Sequence, residues 1–188
     1  LAIGDVSGHG IGPAMLMAET RAYLRILTRN RNDLSLILTR ANTMVGEDVG
    51  EERFVTMLLA KLDPEKRTLV YASAGHSPAF ILGSDGAVKS ELRRTGMPLG
   101  VMQDAEYTVS KPLRLAKGDV LVLLTDGLEE TANPEGELFG VDRILQAVHQ
   151  NRQSKAAKIV ESVFETLKDF SGNAEQVDDL TMIVAKAE

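Results

Sequence analysis

The chain contains no cysteine among its 188 residues. This absence excludes disulfide bonds, thiolate zinc sites and cysteine-ligated iron–sulfur clusters, because all of them need cysteine sulfur. A chain without thiols is compatible with a reducing compartment, and we expect a cytoplasmic protein.

The sequence also lacks a long apolar run, a signal-peptide pattern and an excess of basic residues. No segment approaches the roughly 18 to 20 apolar residues that cross a bilayer, so we expect no membrane span. The formal net charge of −6 argues against a nucleic-acid partner, because DNA-binding proteins usually carry a basic face. The glycine-rich Lys-Ser/Thr signature of P-loop hydrolases is missing as well.

The composition is that of an ordinary globular protein, with 44% apolar and 26% charged residues. A chain of this length can form one domain with a substantial core. We therefore expect residues 1–188 to be a single domain. We further expect that domain to be part of a longer protein, because its first residues already have the pattern of a strand.

Most strands are predicted to follow one another, while helices come in pairs. The predicted strands are 1–6, 54–62, 68–74, 78–82, 88–92, 106–115, 120–124 and 180–187. Three predicted helices are 10–30, 140–152 and 155–171. A fourth follows the first: Asn32 or Asp33 caps its start, and it ends near residue 49. This order predicts an α+β fold, an α-β-β-α sandwich of two antiparallel sheets flanked by helix layers.

Apolar spacing predicts one core-facing stripe on each helix. In the first helix the stripe comprises Ile11, Ala14, Met15, Ala18, Ala22 and Ile26. In the second helix it comprises Leu34, Ile37, Leu38, Ala41 and Val45. The continuous apolar run 120–124 predicts a central strand that is covered on both faces.

Acidic residues stand at the ends of three predicted strands. Asp5 opens a glycine-rich turn, Asp126 follows the run 120–124, and the pair Asp178 and Asp179 precedes the last strand. Carboxylates about 4 Å apart repel by roughly 4 kcal/mol at an effective dielectric constant near 20, so three of them together need a cation. An all-oxygen ligand set favours Mg²⁺ or Mn²⁺ over Zn²⁺.

The alternative reading is structural, because an aspartate before glycine often only forms a turn. His76 is expected to cap a turn through backbone hydrogen bonds, although it could also touch a phosphate. The methionines Met15, Met17, Met44 and Met57 are expected in the core or between helices. Glu129 and Glu130 are expected in the first turn of a helix, where acidic side chains favour the helix dipole.

Five segments resemble, in order, the motifs of PP2C-type metal-dependent serine/threonine phosphatases. They are Gly4-Asp5-Val6-Ser7-Gly8-His9-Gly10, Ser73-Ala74-Gly75-His76, Gly96-Met97-Pro98-Leu99-Gly100, Leu124-Thr125-Asp126-Gly127-Leu128-Glu129-Glu130 and Asp178-Asp179-Leu180-Thr181. The sequence is most similar to the bacterial sporulation-phosphatase and stress-regulator branch, which acts in partner-switching control of sigma factors.

The resemblance implies a helix–sheet–sheet–helix sandwich with two Mn²⁺ or Mg²⁺ ions at one end. It implies that Asp5 bridges the ions, that the Val6 carbonyl binds one of them, and that Asp126 and Asp178 are further ligands. Asp179 is placed at the metal site beside these ligands. The implied activity is hydrolysis of phosphoserine or phosphothreonine by a metal-activated water.

The implied substrate is a phosphorylated regulatory protein of the anti-anti-sigma type. Because Asp5 is joined directly to the helix pair 10–49, we expect an upstream sensor or receiver domain to act through that pair, with residues 1–188 as the C-terminal catalytic part of a longer regulatory protein. A homodimer is also expected. A catalytically inactive PP2C-like binding module is the alternative function.

Two features depart from the family pattern. The family usually has an upstream strand pair with a Gly-Gly-Asp-type motif, so this chain is expected to lack N-terminal strands of the sheet. Ser7 stands where many eukaryotic relatives have a histidine, and His9 lies two residues further on.

Overall fold

The computed structural model describes residues 1–29, 33–49 and 53–188. These residues form two compact units. Unit 1 comprises Leu1–Ser77 and Arg93–Arg114, and unit 2 comprises Pro78–Leu92 and Leu115–Glu188. The prediction of one domain over 1–188 stays a prediction.

The described residues contain the following strands and helices. Unit 1 has β1 (Ala2–Val6), α1 (Ile11–Arg29), α2 (Leu34–Asp48), β2 (Val55–Asp63), β3 (Thr68–Ala74) and β6 (Leu113–Arg114). Unit 2 has β4 (Ala79–Leu82), β5 (Val88–Leu92), β7 (Val120–Leu124), α3 (Asp126–Glu130), α4 (Gly140–Asn151), α5 (Ala156–Ser171) and β8 (Met182–Lys186).

Unit 1 is an antiparallel sheet with the order β1-β2-β3-β6, packed against α1 and α2. The pairing of β1 with β2 places Asp5 opposite Thr56 and Val6 opposite Val55. Leucines of both helices share a buried cluster with apolar side chains of β2 and β3. The cluster stabilises the sheet from one face, because burying apolar surface contributes about 25 cal/mol per Å².

Unit 2 is an antiparallel sheet with the order β5-β4-β7-β8, packed against α4 and α5. All five residues of β7 are buried, and β7 lies between two other strands. The prediction of a central strand over 120–124, covered on both faces, is confirmed. The chain is therefore α+β with two antiparallel sheets and helices, as predicted.

The second helix also agrees with its prediction. All residues of the predicted α2 stripe are buried. Asp33 is the N-cap, and its carboxylate accepts hydrogen bonds from the backbone N–H groups of Ser35 and Leu36. The alternative cap at Asn32 lies outside the described residues.

The predicted core face of α1 is wrong. All six residues of the predicted stripe are exposed, with Ile11 at 82% and Ile26 at 62%. The buried residues are Leu16, Thr20, Leu24 and Leu27, which lie on the opposite side of a helix with 3.6 residues per turn. Three members of the predicted stripe are alanines, so the leucine side buries more apolar area against the sheet.

Met15 is therefore exposed rather than buried, at 59%. Met57 is buried, and Met17 and Met44 pack against the core of unit 1 as predicted. The exposed stripe on α1 shows that the helix has two apolar sides, not one.

The predicted strand 106–115 is also mostly wrong, because only Leu113–Arg114 pairs with β3. Earlier in this segment, Ser110 takes part in the pairing through its side chain. The Tyr71 N–H donates to Ser110 Oγ at 3.0 Å, and the Ser110 N–H donates to the Tyr71 carbonyl at 2.8 Å. Pro112 lies between Ser110 and Leu113 and has no N–H to donate, which interrupts regular pairing with β3 there.

No helix among the described residues is both long enough and apolar enough to span a bilayer.

Tyr107 is an aromatic side chain in the core of unit 1, and it is 2% exposed. Its hydroxyl is buried without a hydrogen-bond partner in the described part of the chain. Burial raises the pKa of Tyr107 from 10.0 to about 12, because the phenolate would be poorly solvated there.

We predict that Tyr107→Phe raises the free energy of unfolding by about 1 kcal/mol, because it removes a buried hydroxyl without a partner. Urea unfolding measures this change. The control is Tyr23→Phe, which removes an exposed hydrogen bond from the Tyr23 hydroxyl to Asp48 on α2. That change should be neutral or mildly destabilising.

The pH dependence supplies a second readout for Tyr107. The pKa of Tyr107 is higher in the folded state, so above pH 10.0 this tyrosine ionises more readily in the unfolded chain. The free energy of unfolding is therefore unaffected by this ionisation below pH 10.0 and falls as the pH rises towards about 12. Tyr107→Phe should lack this component of the alkaline loss. A Tyr107→Phe protein less stable than the wild type would contradict the assignment.

Candidate functional site

Asp5 lies at the end of an edge strand of unit 1, where β1 pairs with β2. It is half-buried, and Val6 beside it is buried. The pairing continues one residue beyond Val6: the Ser7 N–H donates to the Phe54 carbonyl, and the Phe54 N–H donates to Ser7 Oγ, both at 3.0 Å. These bonds fix the backbone on which the predicted bridging carboxylate and the predicted carbonyl ligand stand.

A glycine-rich turn connects Asp5 to α1. Gly8 and Gly10 have φ angles of 83° and 97°, in the left-handed region that favours glycine. His9 between them is exposed. The turn ends at α1, where the Ala14 N–H donates to the Gly10 carbonyl at 3.1 Å. The start of α1 is thus joined to the Asp5 strand by only a few residues.

Thr56 and His76 lie next to the Asp5 backbone. The Thr56 hydroxyl donates to the Asp5 carbonyl at 3.4 Å and lies 2.9 Å from Nδ1 of His76, a ring that is 2% exposed. When the hydroxyl donates to the carbonyl, it accepts from a protonated Nδ1. His76 thus bonds a side chain on β2.

Asp126 is the first residue of α3 in unit 2 and is half-buried. The preceding Thr125 binds the segment before β8 through three hydrogen bonds. Its N–H donates to the Thr181 carbonyl at 3.0 Å, its hydroxyl donates to the Asp179 carbonyl at 3.2 Å, and the Thr181 N–H donates to its hydroxyl oxygen at 3.1 Å. Thr125 is 2% exposed, so these bonds are shielded from water.

Gly127 allows the two acidic segments to approach closely. A Cβ atom at Gly127 would lie 2.4 Å from the Asp179 carbonyl oxygen and 3.4 Å from Asp178 Cβ. Only glycine fits this approach without a shift of the backbone. Unit 2 therefore brings Gly127, the residue after Asp126, against the Asp178–Asp179 segment.

Asp178 and Asp179 are exposed. One carboxylate oxygen of Asp178 accepts a hydrogen bond from the Asp179 N–H at 2.8 Å, and Gln176 donates to the Asp178 carbonyl at 2.9 Å. The hydrogen bond from the Asp179 N–H orients the Asp178 side chain through one carboxylate oxygen, and the second carboxylate oxygen takes no part in it.

The donor set suits a hard divalent cation, because carboxylate and carbonyl oxygens are the ligands that Mg²⁺ and Mn²⁺ prefer. Across residues 1–29, 33–49 and 53–188, no three His, Asp or Glu side chains are already gathered closely enough to hold a metal ion. The assignment of Asp5, Val6, Asp126, Asp178 and Asp179 to one metal centre stays a prediction.

Glu129 lies in the first turn of the short helix α3, as predicted, whereas Glu130 is the last residue of that helix. Glu129 is half-buried and Glu130 is exposed. Sequence reasoning missed Thr56 and Thr125, since a threonine in or after a strand has no pattern that marks such a role.

Comparison with known proteins places the chain in a family. Residues 1–188 match the family described as Stage II sporulation protein E (SpoIIE). The phosphoserine phosphatase RsbU of Bacillus subtilis is 31% identical over 189 residues, which cover 99% of this chain and 55% of RsbU. The chain thus spans about half the length of that relative.

Solved structures show the same fold. The SiaA-PP2C domain of Pseudomonas aeruginosa is 22% identical and superposes with a TM-score of 0.85. The match covers 100% of this chain and 74% of that one. The catalytic domain of the serine/threonine protein phosphatase PstP, solved with two manganese ions, is 19% identical, with a TM-score of 0.71 over 99% of this chain and 86% of that one. The family match over the whole chain and the shared PP2C fold confirm the resemblance, and the chain belongs to the SpoIIE family of PP2C-like domains.

Proposed function

We propose that this chain is a metal-dependent protein phosphatase that hydrolyses phosphoserine or phosphothreonine on a regulatory protein. The observation that carries the proposal is the close approach of Asp126 to Asp178 and Asp179, held by Thr125 and permitted by Gly127. Membership of a family that includes a phosphoserine phosphatase supports the same activity.

We propose that two Mn²⁺ or Mg²⁺ ions are held by the Asp5 and Asp126 carboxylates, the Val6 carbonyl and Asp178, with Asp179 beside them. When bound, such ions polarise a phosphoryl oxygen and lower the pKa of water. The all-oxygen donor set supports this choice, and PstP, which shares the fold, was solved with two manganese ions.

The chain's own residues hold the ligands in position. Thr56 donates to the Asp5 carbonyl and is itself bonded to His76, so the end of β1 is held from one side. Thr125 holds the backbone of Asp179 in unit 2. Such preorganised groups need not rearrange during the reaction, which is the main source of electrostatic catalysis.

Exposure of the acidic residues favours a protein as the substrate. Asp178 and Asp179 are exposed and Asp126 is half-buried, so a phosphate on a protein surface can reach them. We propose a phosphorylated regulatory protein of the anti-anti-sigma type, since RsbU, a relative over nearly the whole chain, is a phosphoserine phosphatase. A cytoplasmic location goes with this substrate.

We also propose regulation by an upstream sensor or receiver domain through the pair α1 and α2. The six exposed residues of the α1 stripe offer an apolar contact surface, and α1 starts six residues after Asp5. A helix shift would therefore reach a proposed metal ligand through a short turn. The same stripe is the surface we propose for a homodimer.

We predict that Asp126→Asn abolishes Mn²⁺-dependent release of phosphate from a phosphoserine protein, lowering turnover by at least about 100-fold, because it removes a ligand charge. The matched control is Asp169→Asn, which makes the same change at an exposed position of α5 in the same unit. That variant should keep wild-type turnover.

The same assay decides between the enzyme and the inactive binding module. Phosphoprotein binding by the wild type without Mn²⁺-dependent turnover would support the module and overturn the proposed activity. Equal turnover in wild type and Asp126→Asn would remove Asp126 from the mechanism.

We predict that Gly127→Ala weakens Mn²⁺ binding, because the new methyl group would displace the Asp178–Asp179 backbone. The expected loss of stability is about 1 to 3 kcal/mol, the usual effect of overpacking. Calorimetric titration with Mn²⁺ measures the affinity.

The control for this experiment is Gly46→Ala in α2, where a Cβ atom meets nothing within 4 Å. It should stabilise the helix by up to about 1 kcal/mol and leave the Mn²⁺ affinity unchanged. Wild-type Mn²⁺ affinity in Gly127→Ala would show that the close approach is not needed for the site.

A further inference from the structure

Asn42 is a polar side chain inside the apolar face of α2. It is 1% exposed and lies between the buried residues Ala41 and Val45 of the same helix. A buried amide is costly unless its hydrogen bonds are made, and Asn is not a favoured residue inside helices. Its place here therefore needs a specific set of partners.

The partners of Asn42 all belong to one loop of unit 1, residues 96–105. Its Nδ2 donates to the Met102 carbonyl at 2.9 Å and to the Gln103 carbonyl at 3.0 Å, and its Oδ1 accepts from the Gly100 N–H at 2.9 Å. Both amide hydrogens and the amide oxygen are thus engaged. An amide supplies two donors and an acceptor together, which a carboxylate or a hydroxyl cannot.

The loop also lies directly against α2. A Cβ atom at Gly100 would be 2.8 Å from Val49 and 3.4 Å from Val45, and the φ angle of Gly100 is 87°. The loop contains Gly96-Met97-Pro98-Leu99-Gly100, one of the five motif segments, which has no role in the proposed catalysis.

The other side of this loop is bonded to the strands around Asp5. Leu99 and Val55 exchange two backbone hydrogen bonds of 3.0 and 2.8 Å, and the Gly75 N–H donates to the Gly96 carbonyl at 2.9 Å. Val55 pairs with Val6, and the next residue, Thr56, pairs with Asp5. One hydrogen-bonded route therefore runs from Asn42 through Leu99 to the backbone of Asp5 and Val6.

We propose that Asn42 is a positioning residue that fixes the end of β1 relative to α2 and so sets the affinity of the Asp5–Val6 ligands for the divalent cation. This inference rests on the proposed function, since it assigns Asn42 to the same metal centre. Asn42 acts through the loop 96–105 and has no role in contacting the substrate.

The test compares Asn42→Asp with the wild type. The aspartate keeps the acceptor for the Gly100 N–H but places a carboxylate oxygen against the Met102 and Gln103 carbonyls. We expect an about tenfold weaker Mn²⁺ affinity, corresponding to about 1.4 kcal/mol, with turnover at saturating Mn²⁺ close to that of the wild type. Calorimetric titration with MnCl₂ and the Mn²⁺ dependence of turnover measure the two quantities.

Amide hydrogen exchange of the metal-free protein gives a second readout. The N–H groups of Val55 and Leu99 should exchange faster in Asn42→Asp, because their mutual hydrogen bonds lose the support of α2. The control is Leu27→Ala, which empties a core position near the far end of α1, about 24 Å along the helix from Ile11. It should destabilise the fold without changing the Mn²⁺ affinity or the exchange of Val55.

The outcomes separate this inference from the proposed function. Absence of turnover in the wild type contradicts the phosphatase activity alone, because Mn²⁺ affinity and exchange are measured without substrate. Wild-type Mn²⁺ affinity in Asn42→Asp overturns the positioning role, as does an equal loss of affinity in Leu27→Ala. If the wild type binds no Mn²⁺, the assignment to the metal centre is overturned.

Discussion

Antiparallel strand pairing fixes the positions of the acidic side chains, and the proposed chemistry depends on it. In unit 1 the register of β1 and β2 places Asp5 opposite Thr56. In unit 2 Thr125 and Thr181 continue the pairing of β7 with β8 beyond the last ladder residues. A slip of one residue would turn each side chain to the other face of its sheet, so the proposed ligands keep their positions only while this register is kept.

Local patterns in the sequence predicted most of the fold. The strands over 68–74 and 120–124 and the buried face of α2 agree with the structure, because each has one dominant apolar pattern. The core face of α1 was predicted wrongly, since that helix has apolar residues at helical spacing on two opposite sides. Which side meets the sheet depends on tertiary packing. The alternating run 106–115 forms only a two-residue strand, because Pro112 lacks the N–H that regular pairing needs.

The acidic residues of the proposed site were named from the sequence, but the groups that hydrogen-bond to their backbone were not. Asp126 and Asp178 were recognisable as carboxylates at strand ends. The roles of Thr56, Thr125 and Asn42 depend on partners more than 50 residues away in the chain. Threonine in a strand and asparagine in a helix have no local signature of such partners, so only the folded structure identifies them.

The central claim is that Asp5, Val6, Asp126 and Asp178 bind divalent cations together. An anomalous-scattering map of crystals grown with Mn²⁺ tests it most directly. The account predicts anomalous peaks bounded by the carboxylates of Asp5, Asp126 and Asp178 and by the Val6 carbonyl. Anomalous peaks at other residues, or none in crystals saturated with Mn²⁺, would contradict it.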